Sequence, residues 1–347
     1  MGKIRLLDCT LRDGGYRIDW EFGKNVIANI FEGLVSARVD IIEIGFLDDS
    51  RKFDENRTIM PNTQSLNKIF GKLRTGNSMV VAMIDYGTCD ICNIQPCSET
   101  CIDGIRVIFK EEKMVQALEY CGKLKKLGYK VFVQLVSVTT YTDDKLLELC
   151  KIANEVEPYA VSIVDTYGLL YMSGLLHIAD VLHSNLKDNI VLGYHGHNNF
   201  QMGYANGITF IEKRLQRDIL IDGTLYGMGK SAGNTPIELL AMYLNETRKA
   251  AYDIGRILET IESDIMGFYK KVEWGYSLPY FAAALTKCHP DYVSYLMDKE
   301  ILSMKAIIEL MGSICDEKKL SYNETYIENK YLEYQNMKFS NKEGGRS

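Results

Sequence analysis

The sequence has no uninterrupted apolar run of about 18 residues, the length that a membrane-spanning helix requires. We therefore expect no contact with a membrane. The first residues, MGKIRL, also lack the apolar stretch of a secretory signal peptide. Without such a signal, nine cysteines are typical of reduced thiols rather than of disulfides. These features together predict a cytoplasmic protein.

Basic residues are outnumbered and form no stripe along the sequence. Forty lysines and arginines stand against 46 aspartates and glutamates, which gives a net charge of −6 and a pI near 5.6. An anionic surface repels a phosphate backbone, so we expect no nucleic-acid partner. The apolar and charged shares, 46% and 25%, are those of a soluble globular protein.

Short apolar runs rich in β-branched residues alternate with longer amphipathic stretches. We predict eight strands, at residues 4–8, 40–45, 79–84, 104–109, 130–136, 160–164, 190–193 and 219–222. Each gap between them has room for one helix. Regular alternation of strand and helix implies parallel pairing with right-handed crossovers. Eight such units favour a closed (β/α)8 TIM barrel, an α/β fold, over an open sheet.

The character of the sequence changes after the eighth predicted strand. From there the chain is helical in pattern and rich in tyrosine and methionine, and the last stretch is polar. We therefore predict a barrel over residues 1–245, a C-terminal helical extension over residues 246–335 and a flexible tail over residues 336–347. The apolar extension also predicts a homodimer.

Three segments follow predicted strands one, seven and eight and carry metal-binding or charge-stabilising residues. They are residues 7–15 (LDCTLRDGG), 193–199 (GYHGHNN) and 222–234 (DGTLYGMGKSAGN). In a barrel of this kind the active groups lie at the carboxyl ends of the strands. We therefore expect the three segments to meet at one mouth of the barrel.

The pair His195 and His197 is the sharpest signal, because the chain has only five histidines. Residues two apart on an extended strand point the same way, so both imidazoles can grip one ion. Strand one closes against strand eight, which places Asp13 near them as an anionic ligand. The guanidinium of Arg12 can hold an enolate oxygen or a substrate carboxylate. In the third segment, Asn234 can offer an amide oxygen to the same ion or to a water molecule bound to it.

Together these segments resemble the DRE-TIM metallolyase superfamily, and most of all its 4-hydroxy-2-oxovalerate aldolases. The resemblance covers about residues 3–245 and includes the stretch IDGTLYGMGKSAGNTPIELL. It implies metal ligation by Asp13, His195 and His197, a further contact from Asn234, and stabilisation of an enolate by Arg12. Polar residues at strand ends line the substrate pocket in such enzymes, which here implies Glu43, Thr166 and Asn198.

One position departs from this resemblance. Aldolases of this type carry a histidine as acid or base where this chain has Tyr16, and the synthase and acyl-CoA lyase branches usually carry glutamine there. The acid/base role then falls to Tyr16 itself or to Tyr276, which resembles a tyrosine that the aldolases bring from their helical extension. A phenol titrates near pH 10, so it needs help from the metal or from Arg12 to act as a base.

Four cysteines, Cys89, Cys92, Cys97 and Cys101, lie between predicted strands three and four. Their spacing matches neither the common zinc pattern nor that of iron–sulfur clusters. We expect a loop that is rich in cysteine rather than a structural metal site.

The sequence thus predicts a carbon–carbon lyase that cleaves or forms a bond of a 4-hydroxy-2-oxo acid through a pyruvate-type enolate. Mixed nitrogen and oxygen ligands favour Mn²⁺ or Mg²⁺, with Zn²⁺ as an alternative. One rival function is an acyl-CoA-dependent 2-oxo acid synthase, similar to isopropylmalate or homocitrate synthase. The other is a non-catalytic barrel that acts as a binding partner. The resemblance also implies an aldehyde dehydrogenase as protein partner.

Overall fold

The computed structural model describes residues 2–299 and 302–343, which fall into two compact units. The units divide between Gly275 and Tyr276. Helix Ile254–Thr260, a single π-helical turn Ile261–Ile265 and helix Met266–Tyr269 all belong to the first unit. The predicted bounds 1–245, 246–335 and 336–347 stay predictions. Residues 336–343 continue a helix, and residues 344–347 lie outside the described part of the chain.

The first unit is built on eight parallel strands that close into a barrel. They are β1 (Ile4–Asp8), β2 (Ile41–Leu47), β3 (Met79–Asp85), β4 (Gly104–Phe109), β5 (Lys130–Leu135), β6 (Ala160–Asp165), β7 (Val191–Gly196) and β8 (Ile219–Gly223). Each strand pairs with the next, and β1 pairs with both β2 and β8. A two-residue strand, Ile59–Met60, adds to the end of β2. The predicted TIM barrel is confirmed.

Helices follow seven of the eight strands. They are α1 (Lys24–Ser36), α2 (Thr63–Phe70), α3 (Met114–Lys126), α4 (Asp143–Val156), α5 (Met172–Asn185), α6 (Gly203–Glu212) and α7 (Ile237–Arg248). Local signals in the sequence fix the ends of two of these helices. Gly128 takes a φ of +94° after α3, and the Thr142 hydroxyl accepts a hydrogen bond from the backbone N–H of Lys145 at 3.3 Å at the start of α4.

The connection between β3 and β4 differs from the expected pattern. All its residues are described, and it contains two short 3-10 turns, Ile91–Asn93 and Cys97–Glu99, in place of an α-helix. The Asp90 side chain caps the first turn by accepting from the Cys92 backbone N–H at 2.9 Å. Pro96 precedes the second turn and cannot continue a hydrogen-bonded ladder. The clustered cysteines of this segment, Cys89, Cys92, Cys97 and Cys101, therefore lie in an irregular loop.

The barrel interior changes from apolar to charged along the strands. One buried cluster takes its members from seven strands or their ends: Leu7, Cys9, Ile41, Val81, Phe132, Ala160, Val191 and Leu220. Side chains two positions apart on a strand share a face. Two residues beyond four of these members come Glu43, Gln134, Ser162 and Asp222, all buried. The polar layer therefore lies towards the carboxyl ends of the strands, where an active site is expected.

The second unit has its own helices and core. Its helices are Leu278–Leu285, Pro290–Met297, Met304–Gly312, Asp316–Lys319 and Glu324–Glu343. Tyr292, Ile307 and Ile327 are fully buried at its centre. Across residues 2–299 and 302–343, no helix combines the length and the apolar character that crossing a bilayer requires.

Gly45 tests how tightly the end of β2 is built. Its φ is +155°, the pairing of β2 with β3 shifts register between Glu43 and Phe46, and an added Cβ would lie 2.0 Å from the Thr58 carbonyl oxygen. We expect Gly45→Ala to lower the free energy of unfolding by about 2–4 kcal/mol, because it combines backbone strain with a clash against main chain. Urea unfolding followed by circular dichroism measures this change.

Gly122 gives the matched control, because it lies in α3 with no atom within 4 Å of an added Cβ. Gly122→Ala should raise the free energy of unfolding by about 0.5–1 kcal/mol. A Gly45→Ala protein that unfolds at the wild-type urea concentration would contradict the predicted strain.

Candidate metal centre and active site

Three buried donor atoms from distant parts of the sequence meet at the mouth of the barrel. Asp13 ends the helical turn Thr10–Asp13 after β1, His195 lies in β7 and His197 directly follows that strand. The two Nε2 atoms are 3.3 Å apart, and Asp13 Oδ2 lies 3.8 Å from that of His195 and 4.0 Å from that of His197. Ligands about 2.1 Å from one ion are separated by about 3–4 Å, so this spacing fits a metal centre.

The outer nitrogen of each imidazole is already used. His195 Nδ1 donates to Asp222 Oδ2 at 3.0 Å, and His197 Nδ1 donates to the Lys230 carbonyl oxygen at 3.2 Å. Each ring then carries its proton on Nδ1 and a lone pair on Nε2. Two lone pairs that face each other at 3.3 Å repel, whereas a cation between them binds both. These tautomers therefore make both Nε2 atoms available to bind a metal ion.

The charge states of Asp13 and His197 also suit a metal. Burial lowers the pKa of His197 to about 4, although Asp13 opposes the shift, so the ring is neutral at pH 7. Burial alone would raise the pKa of Asp13, but the charge of Arg12, aided by the hydrogen bond from the Lys230 backbone N–H, holds it well below its usual range. The site thus offers an anionic oxygen and a neutral nitrogen without losing a proton at neutral pH.

Backbone and side-chain donors orient the Asp13 carboxylate. Its Oδ1 accepts from the Lys230 backbone N–H at 3.0 Å and from Asn234 Nδ2 at 2.8 Å. This leaves Oδ2 on the side of the two histidines. The buried Asn234 Oδ1 has no hydrogen-bond partner among the described residues, so the predicted fourth contact has an oxygen available.

Arg12 is held rigidly beside the centre. Its Nε donates to Glu43 Oε2 at 2.7 Å, and its Nη1 pairs with Asp13 Oδ2. The side chain is 5% exposed, so its charge is neutralised by these two carboxylates rather than by water. Its Nη2 group makes neither contact and is the part that can donate to a substrate oxygen.

Sequence reasoning missed a second buried arginine, Arg106. Its Nη1 donates to Glu43 Oε2 at 3.1 Å, its Nη2 donates to Gln134 Oε1 at 2.9 Å, and the same Nη2 pairs with Asp222 Oδ2. Asp222, also missed, in turn holds His195. The available signal was an arginine in the middle of the apolar run GIRVIF, since a charge there must find partners inside the barrel.

The three residues predicted to line the substrate pocket already have partners within the protein. Glu43 is fully buried beneath the two arginines. Thr166 Oγ1 accepts from the Ser137 backbone N–H at 2.7 Å, and Asn198 Oδ1 accepts from the Gly203 N–H at 3.2 Å at the start of α6. Each therefore has a structural role, and contact with a substrate stays a prediction.

Tyr16 lies at the rim of the site. Its side chain is 38% exposed, its ring packs 4.8 Å from that of Trp20, and Lys230 Nζ lies 5.4 Å from its centroid. Burial raises the pKa of Tyr16, and Arg12 only partly opposes this, so the phenol keeps its proton. Tyr276 is the first residue of the second unit, and its predicted place at the barrel mouth stays a prediction.

Within the described residues, only two groups of side chains come close enough to share a metal ion. One is Asp13, His195 and His197, and the other is Cys9, His195 and Asp222. Burial raises the pKa of the Cys9 thiol well above its usual value, and Asp222 is paired with Arg106, so the second group is poorly suited to a cation. Among the described residues, the four loop cysteines form no such group.

Comparison with known sequences points to one family. The HMGL-like family matches residues 3–263. An oxaloacetate decarboxylase of Mycobacterium tuberculosis is 26% identical and covers 76% of each chain. A 4-hydroxy-2-oxovalerate aldolase of Shewanella pealeana is 24% identical, over 76% of this chain and 78% of its own.

Solved structures share the fold. The N-terminal domain of a proposed aldolase from Bacteroides vulgatus superposes with a TM-score of 0.71 at 23% identity, over 88% of this chain and 99% of its own. An HMG-CoA lyase of Bacillus subtilis gives a TM-score of 0.62 at 14% identity, over 79% and 94%. The chain belongs to the HMGL-like family.

Proposed function

We propose that the protein is a divalent-metal-dependent carbon–carbon lyase that acts on a 4-hydroxy-2-oxo acid through a pyruvate-type enolate. The arrangement that carries the proposal is the triangle of Asp13, His195 and His197 with Arg12 directly beside it. A second line of support is the 4-hydroxy-2-oxovalerate aldolases among its relatives.

Three of these residues would bind the ion, and Arg12 would stabilise the negative charge that develops on the substrate. A divalent ion bound by Asp13, His195 and His197 would polarise the carbonyl group of the 2-oxo acid. Nitrogen and oxygen ligands together suit Mn²⁺ or Mg²⁺. Arg12 is fixed by Glu43, so its remaining donors need no reorganisation to meet the oxygen that gains charge as the bond breaks.

Aldol cleavage also requires a group that removes the proton from the 4-hydroxyl. We assign this step to Tyr16 or Tyr276, in the absence of the histidine that related aldolases carry at position 16. Tyr16 starts from the protonated form, so it must first pass its own proton on.

Decarboxylation of oxaloacetate is the second candidate, and Tyr16 is the observation that favours it. Loss of CO₂ leaves the same pyruvate enolate, yet no hydroxyl proton has to be removed. A protonated phenol can remain where it is or return a proton to the enolate carbon. The oxaloacetate decarboxylase among the relatives supports this reaction.

The remaining predictions concern two rival functions and the protein partners. An acyl-CoA-dependent synthase would release free CoA, whereas a non-catalytic barrel would release neither CoA nor pyruvate. Measuring both free CoA and pyruvate therefore separates these two functions from a lyase. A homodimer and an aldehyde dehydrogenase partner also stay predictions.

The lyase proposal predicts one divalent ion per chain and pyruvate release in the presence of Mn²⁺. We expect Asp13→Asn to lower turnover by at least about 1,000-fold, because it removes the anionic ligand while leaving the shape of the side chain. Elemental analysis and a coupled pyruvate assay, with 4-hydroxy-2-oxopentanoate and with oxaloacetate, measure both quantities. Asp218→Asn, which alters an ion pair with Arg5 and a hydrogen bond from the Lys3 backbone N–H, is the control. Full activity in Asp13→Asn would refute the proposal.

Asp222 should act on metal binding through His195. Asp222→Asn removes the charge that holds the Nδ1 proton of His195, and we expect Mn²⁺ affinity to fall by about 10- to 100-fold. Titration calorimetry with Mn²⁺ measures this without any substrate, and Asp218→Asn again serves as the control. An unchanged Mn²⁺ affinity in a folded Asp222→Asn protein would show that the tautomer is set elsewhere.

Tyr16→Phe separates the two candidate reactions. If Tyr16 moves the hydroxyl proton, we expect aldol cleavage to fall by about 100-fold or more, while decarboxylation of oxaloacetate changes little. Both rates come from the same pyruvate assay, and Tyr171→Phe, at a side chain that is 61% exposed, is the control. Equal aldol rates in wild type and Tyr16→Phe would rule Tyr16 out as the proton carrier.

A further inference from the structure

A cavity of about 330 Å³ lies against the loop that follows β8. Its size is at the lower end of the range for small-molecule sites. It is lined by Asn198, Tyr226, Gly227, Ala232, Asn234, Pro236, Glu238, Leu239, Tyr269, Trp274 and Gly275. Among these residues there is one acidic side chain and no basic one. The cavity therefore lacks an internal counter-charge.

Three of the lining residues are aromatic and stand nearly perpendicular to one another. The ring of Tyr226 meets Tyr269 at 87° and Trp274 at 76°, while Tyr269 meets Trp274 at 81°. The centroids are 4.9 to 6.5 Å apart. Rings arranged in this way form the walls of a corner. Aromatic faces carry negative potential and attract a cation placed within about 6 Å.

The backbone at Tyr226 is held in an unusual conformation. Tyr226 has a φ of +53°, which is costly for a residue with a side chain. Trp274 Nε1 donates to the Tyr226 carbonyl oxygen at 2.8 Å and so holds this backbone in place. The indole N–H is thereby satisfied by this hydrogen bond.

Glu238 supplies the charge. Its Oε2 accepts from the Tyr226 backbone N–H at 3.2 Å, and it forms no ion pair within the described residues. Burial raises the pKa of this carboxyl, and backbone hydrogen bonds oppose the shift. A carboxylate in such surroundings gains most from a cation that enters the cavity.

We propose that this cavity binds a small organic ammonium ion, with methylated nitrogen against the three rings and its charge balanced by Glu238. Inorganic cations keep their water shells and gain little from aromatic walls, whereas a methylated ammonium has both charge and apolar surface. Asn234 lies in the same wall and also contacts Asp13, so the cavity adjoins the metal centre. Its rings and its acid take no part in that centre.

The test compares choline with its neutral isostere, 3,3-dimethylbutan-1-ol, which has the same shape and no charge. Titration calorimetry on the full chain should give saturable choline binding, with the neutral alcohol at least about tenfold weaker. Equal affinity for both would mean a merely apolar cavity and would overturn the proposal. So would the absence of saturable choline binding.

Variants locate the binding in this cavity. Glu238→Gln and Tyr269→Leu should each weaken choline binding by about tenfold, whereas Tyr269→Phe keeps the ring and should bind as wild type does. Glu273→Gln removes an exposed acid nearby and is the control. Thermal unfolding shows whether each variant is folded. If Tyr269→Leu does not fold, the choline affinity of Glu238→Gln alone tests whether this cavity is the binding site. Binding that is unchanged in a folded Glu238→Gln protein would place the choline elsewhere and overturn the assignment.

Discussion

A line of alternating buried charges supports the candidate site. It runs from Asp13 through Arg12, Glu43 and Arg106 to Asp222, which holds His195. Removing one partner from such a line leaves an uncompensated charge, at a cost of about 3–5 kcal/mol. The line begins at one proposed metal ligand, Asp13, and ends at the carboxylate that holds another, His195, so the geometry of the centre depends on every member of it.

The apolar layer beneath explains why this line can exist. Leu7, Phe132 and Leu220 fill the barrel towards the amino ends of its strands and exclude water from below. In a dry interior an arginine and a carboxylate interact far more strongly than at a surface. From the amino to the carboxyl ends of the strands, the barrel therefore has an apolar layer, a charged layer and the opening at which the candidate site lies.

The fold and the clustering of Asp13, His195 and His197 were predictable from the sequence because each rests on short-range rules. Alternation places His195 and His197 on one face, and the topology of a barrel brings Asp13 to them. Arg106 and Asp222 were not predicted, because their partners come from strands that are distant in sequence. A charged residue in an apolar run indicates that buried partners exist, but the run itself does not show which residues they are.

Local capping explains where the sequence reasoning was least informative. Thr166 and Asn198 are polar residues at strand ends, as substrate-binding residues often are. Each is used by the backbone, through the N–H groups of Ser137 and Gly203. The sequence alone does not distinguish these uses. The loop between β3 and β4 is a similar case, since room for a helix does not ensure one when Asp90 and Pro96 favour tight turns.

The alternating charges of the site also determine an order of binding. Three carboxylates and two guanidinium groups give the line a formal charge of about −1, which disfavours entry of an anionic 2-oxo acid. A bound divalent cation would turn this to about +1, and a monoanionic acid would then restore neutrality. For the proposed reaction, the charge of this line therefore favours binding of the ion first and of the acid second.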